Sequence, residues 1–195
     1  MATNESLIGR NEINDIEAIL AIANTDVDEV SHAVRDNADA MFTWDYSLAR
    51  PALRRLYEKA KVGQWNATTD LPWDLEVDQE KQVAEEQAMI GVGLNTDSYA
   101  GTPVESWSDR EWLAFGVESS NWRLSQFMHG EQGALLCTAK ICETVPWYDA
   151  KLYAATQVVD EARHVEVFAR YLDEKLSGHY PINAHLRMLL DDIIN

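Results

Sequence analysis

Tyr153–Leu172 reads YAATQVVDEARHVEVFARYL, and this stretch decides the fold. Ala154, Val158, Val165, Phe168 and Leu172 recur at the spacing of one helical face. At ~100° per residue, Glu161 lies near the centre of that apolar stripe and His164 lies on one edge. Arg163 points away from the stripe, as a solvated side chain does. The pattern predicts a helix from near Tyr148 to near Leu176.

Working outward, Pro146 and Trp147 mark a turn, because proline starts helices and rarely continues them. Before it, Leu124, Phe127, Met128, Ala134, Leu135, Thr138 and Cys142 again recur at steps of three and four. They predict a longer helix from near Asp109 to near Thr144. Their stripe is about 120° wide and has Glu131 near its centre. Glu131 lies about as far before the turn as Glu161 lies after it. At ~1.5 Å rise per residue the two differ in depth by only about 3 Å. The two carboxylates therefore meet across a helical hairpin.

A carboxylate in the middle of an apolar face is costly to bury unless it is paired or bound to metal. Bundles that hold two metal ions take a Glu from one helix and a Glu-x-x-His from its neighbour. Glu131, Glu161 and His164 meet that description. Their donors suit iron, manganese or zinc, and no cysteine sits beside them on this face. A Glu-x-x-His alone would fit a polar surface or a satisfied buried pair equally well. The placement of Glu131 favours the metal reading.

The same motif recurs at Asp28, Glu29 and His32. There the predicted stripe is Val27, Val30, Val34, Ala38 and Met41, on a helix over 27–41. Glu29 and His32 fall on the opposite face and read as solvated surface. Glu58, twenty-nine residues on, does not repair that phase.

The chain as a whole reads as all-α. Short helices are predicted at 12–23 and 27–41, then near 50–63 and 79–93. The two long helices follow, and a last one starts after Pro181. Segments 64–78 and 94–108 read as loops, rich in Asn, Thr, Asp, Gly and Pro. We expect one domain over 1–195: N-terminal helices and loops over 1–106, the hairpin over 107–180, and the start of a further helix over 181–195. His129 points away from the Glu131 face and reads as structural or exposed. Gly130 and Gly133 flank Glu131 in mid-helix, where each costs ~1 kcal/mol relative to alanine. They permit close helix approach or mark a loosened turn.

The net charge is −17, with −13 of it in residues 1–123. No basic patch exists for nucleic acid, and no apolar run is long enough for a membrane span. The acidity reads first as solubility, and second as a field that gathers cations. The N-terminus lacks the features of a secretory signal. Cys137 and Cys142 are poorly placed to pair with each other, and two free thiols fit a reducing cytoplasm.

The stretches HGEQGALL (129–136) and YAATQVVDEARHVEVFARYL (153–172) resemble the ferritin-like di-iron carboxylate superfamily. The nearest likeness is to its R2-like branch, which includes the ribonucleotide reductase small subunit and the arylamine N-oxygenases. LYEKAKVGQWNATTDLPWD (56–74) is similar to the lead-in segment of bacterial proteins of that kind. The resemblance implies a ferritin-like helical bundle with Glu131, Glu161 and His164 as metal ligands. It implies Asp160 as the aspartate behind a ligating histidine, where an outer hydrogen bond fixes the ring and raises its basicity.

Two departures matter. The superfamily has a second helix pair with another Glu and another Glu-x-x-His, and none follows His164 here. The chain is therefore expected to correspond to the N-terminal half, or to a naturally short form, with half a site per chain. Second, radical-bearing relatives carry a tyrosine where this chain has Phe168, which disfavours a radical role.

The resemblance implies two iron ions, or iron and manganese, per complete site. It implies reaction with dioxygen and oxidation of a small hydrophobic substrate, in a pocket lined by Phe127, Met128, Val158 and Phe168. A homodimer would supply the full ligand set. The alternatives are a non-catalytic metal binder or ferroxidase, and an inactive half-domain that holds no metal.

Overall fold

The computed structural model describes residues 33–35, 37–90 and 99–195. The chain divides into two units, Met1–Arg35 and Asp36–Asn195, and the architecture below is that of the second. Among its described residues the regular structure is helical. The helices are α1 (Pro51–Val62), α2 (Gln79–Ile90), α3 (Asp109–Thr144), α4 (Tyr148–Glu174) and α5 (Ala184–Ile194).

The spine is the α3–α4 hairpin, with the limits of α3 where the apolar period places them. A capping box starts α3. Ser108 Oγ accepts from Glu111 N–H, and a Glu111 carboxylate oxygen accepts from Ser108 N–H at 2.7 Å. Two of the donors left open at a helix start are thereby satisfied. Pro146 disfavours helical backbone at the residue before it, and α3 accordingly ends at Thr144 with Val145 extended.

α1 packs on α4 and runs parallel to its first half. Arg50, which caps α1, donates its N–H to Oδ2 of buried Asp149 at the start of α4, 2.9 Å away. Its guanidinium lies 4.1 Å from the centre of the Trp147 ring. At the other end, the residues just after α1 reach Arg163. α2 lies antiparallel on α3: Gln79 meets Asn121, and Gln87 Nε2 donates to the Trp112 carbonyl at 2.7 Å.

The chain leaving α4 is tied back to α3 by buried polar groups. Tyr180 N–H donates to Ser125 Oγ at 2.9 Å, and Asn121 meets Ser177. α5 then runs parallel to α3. Gln126 Oε1 accepts both the backbone and side-chain N–H groups of Asn183, and Lys140 reaches the Ile194 carbonyl. A Cβ on Gly133 would lie 2.3 Å from Leu190 Cδ2, so this glycine lets α5 seat closely.

The apolar core is thin. Among the described residues, Ala67, Val83, Trp112, Ala154 and Leu172 are its buried side chains, while Phe127, Leu136, Ile141 and Val159 of the hairpin stay exposed.

Three expectations need correction or restriction. The described part of the segment 27–41 is not helical, and the chain is irregular as far as Arg50. Met41 N–H donates across the hairpin turn to the Glu143 carbonyl at 2.9 Å, a bond that a helix would have kept for itself. The helix predicted over 12–23, and Glu29 and His32, lie outside the described residues. Arg163 is not solvated: it is buried against the residues that follow α1.

Candidate metal centre

Glu131 lies thirteen residues before the end of α3 and Glu161 thirteen residues after the start of α4, so the antiparallel hairpin brings the two to one level. His164 sits one turn beyond Glu161 on the same side of α4. Its Nδ1 lies 3.0 Å from Glu161 Oε2 and 3.3 Å from Glu131 Oε2. Carboxylates only accept, so the imidazole N–H donates between them. One donor atom from each of the three residues lies within 4.8 Å of the others, and this is the one such cluster among the described residues.

Burial, a hydrogen bond shared with Glu131 and the charge of Glu131 push the Glu161 carboxyl above its ordinary value, against the opposing pull of His164. Two carboxylates held this close cannot both ionise freely unless something cationic sits between them.

The donor set fits a divalent transition metal. Oxygen and imidazole donors suit iron, manganese and zinc. Donors bound at ~2.0–2.2 Å to one ion are at most about 4.4 Å apart, so small side-chain rotations would close the set. The thiols stand apart from it: Cys142 Sγ faces the Lys151 carbonyl at 3.6 Å. His164 keeps 43% of its side chain exposed, against 26% for Glu131 and 17% for Glu161, so the centre opens to one side.

The structure gives Asp160 a different neighbour from the one the resemblance implied. It pairs with Arg163, one turn on. Arg163 also donates to Gln64 Oε1 at 2.8 Å and to the Trp65 carbonyl at 3.0 Å, and its guanidinium lies 5.0 Å from the centre of the Trp65 ring. These contacts lock the back of α4 to the segment after α1. They hold the helix that presents Glu161 and His164, without touching either. His129 is structural: its Nε2 lies 2.9 Å from the Tyr180 carbonyl. Glu58 is half-exposed and paired with Lys61 at 2.9 Å.

A cleft of about 450 Å³ opens onto Glu131 between α3 and the start of α5. Phe127 is one of its walls and stacks on Phe168, with ring centres 6.3 Å apart. Met128, Val158 and Phe168 do not themselves line it. Its other walls include Trp122, Arg123, Gly130 and Leu186. Sequence reasoning missed these. Trp122, Gln126 and Gly130 do follow one another at helical spacing, but a stripe broken by glycine and glutamine does not register as apolar.

No protein-family model, no curated protein and no solved structure matches this chain.

Proposed function

We propose that this protein is a dinuclear metal-carboxylate protein with a ferritin-like helical bundle, and that it is an oxygen-activating oxidoreductase acting on a small hydrophobic substrate. One observation carries this reading: Glu131, Glu161 and His164 converge from two helices on a single point. When bound, a reduced pair of iron or manganese ions supplies the electrons for reducing dioxygen.

The residues divide the remaining work. Glu131, Glu161 and His164 would hold the ions. Ligands must be deprotonated to hold metal, so uptake weakens at low pH. Phe127, stacked on Phe168, gives the approach to Glu131 an apolar wall. The Arg163 anchor holds α4 in register behind the ligands. The two free thiols, Cys137 and Cys142, accord with a reducing cytoplasm.

A second reading is a non-catalytic metal binder or ferroxidase. The exposure of His164 and the acidity of the chain favour it, because an open centre in a negative field admits cations readily.

Metal content of the purified chain, measured beside Glu161→Ala and His164→Ala, tests the site. Loss of metal in both variants supports it, and retention in both overturns it. Oxygen consumption that depends on an added aromatic or aliphatic substrate separates the oxidoreductase from the metal binder.

A further inference from the structure

We propose that the cleft beside Glu131 takes an apolar carboxylic acid as substrate, with its acid group on Arg123 and the far end of its chain at the metal ligands. The proposal rests on the metal reading above and names the substrate class of that site.

The cleft is charged at its two ends and apolar between them. Arg123, Phe127, Gly130 and Glu131 follow at helical spacing on α3 and share one side of it. Among the described residues that line the cleft, Arg123 is the one cation and Glu131 the one acid. They are eight residues apart, which is ~12 Å along the helix axis. Trp122, Phe127 and Leu186 supply the apolar walls. Both rings are about half exposed, Trp122 at 46% and Phe127 at 54%, so each leaves a surface open to a ligand.

The amide walls are already engaged. Gln126 Oε1 accepts two N–H groups from Asn183, and Gln126 Nε2 donates to the Pro181 carbonyl at 3.0 Å. Asn183 Oδ1 accepts from Leu186 N–H at 3.0 Å. Arg123 is not engaged in this way. Its guanidinium stands 3.7 Å from a Glu86 carboxylate oxygen, too far for a hydrogen bond, and both side chains are half exposed. An exposed pair of this kind contributes little. A guanidinium offers five donors in a planar fork that matches a carboxylate.

Charge then fixes the pose. An acid group is drawn to Arg123 and repelled from Glu131. The apolar chain lies along Trp122 and Phe127, where it leaves water. Gly130 gives it room, because a Cβ there would meet nothing within 4 Å. The span between the charged ends selects acids whose far end lies several carbons from the carboxylate.

The test measures octanoate binding to the full chain by equilibrium dialysis, in EDTA and in Mn(II), with bound manganese counted in the same samples. Octanoate should bind in EDTA, because Arg123 and not the metal holds its acid group. Octanamide keeps the chain and removes the charge, and should bind at least ~10-fold more weakly. Arg123→Gln should weaken octanoate by a similar factor and leave octanamide unchanged. Gly130→Leu fills the cleft from a position with open space. It should abolish binding of both probes while the chain melts no lower than the parent. His164→Ala should lose manganese and keep octanoate. Octanoate that binds only with Mn(II), or that binds Arg123→Gln as tightly as the parent, overturns this proposal and leaves the triad assignment standing. Manganese uptake with no octanoate bound does the same. No manganese bound to the parent overturns the metal reading and, with it, the substrate role.

Discussion

His164 Nδ1 lies 3.3 Å from Oε2 of Glu131, a residue thirty-three positions earlier on the opposite helix. That contact spans the hairpin and brings the three proposed ligands together. It also makes the metal-free chain a compromise, with a ring N–H standing between two acids.

The first prediction concerns that compromise. The raised Glu161 carboxyl favours its neutral form in the folded chain. Its contribution to stability is fully present below the ordinary carboxyl range and is lost as pH rises through the raised value. Metal-free Glu161→Gln should therefore melt at a higher temperature than the parent chain at neutral pH. The gap should close on acidification. Melting curves in EDTA across the pH range check this, and a gap that widens toward low pH would contradict it.

Metal should reverse the ranking. Mn(II) or Fe(II) at 100 times its Kd should stabilise the parent chain by about 2.7 kcal/mol per site. His164→Ala should lose this, with affinity falling by more than the ~10–100-fold that outer-shell changes cost. Thermal shifts with and without metal under argon provide the readout.

Arg163→Ala should damage the fold and spare the chemistry of the ligands. It removes bonds to Gln64, Trp65 and Asp160 from a buried site. We expect a loss of about 2–4 kcal/mol in urea unfolding. Metal stoichiometry in the surviving folded fraction should be unchanged. A fall in stoichiometry at full stability would instead place this pair in the ligand shell.

The two glycines beside Glu131 should respond in opposite ways. Gly130→Ala meets open space and should stabilise the metal-free chain by about 0.5–1 kcal/mol through helix propensity. Gly133→Ala drives a methyl into Leu190, and overpacking of this kind costs ~1–3 kcal/mol. Adding Leu190→Ala should recover part of that loss. Urea midpoints of the four chains decide it.

Much of this was legible without coordinates. The hairpin helices followed from their apolar periods and from the turn at Pro146, since periods and turns are local chemistry. The pairing of Glu131 with Glu161 followed from rise per residue and the short turn at Pro146. By contrast, the segment before Arg50 reads as helix by period yet is irregular where it is described. A bond from Met41 to the hairpin turn competes for its backbone, and no local pattern reports such a bond.

The sequence by itself therefore determined the two long helices, the hairpin and which three side chains share one level, because each depends on spacing along a single helix. Only the tertiary structure decided where Arg163 goes, that Asp160 answers to it, that Gly133 receives Leu190 while Gly130 faces open space, and that His164 is left half open. Those outcomes depend on which neighbour covers which side of a helix. Contacts between residues far apart in the chain, such as Arg163 with Gln64 and Gly133 with Leu190, settle that, and helical phase cannot encode them.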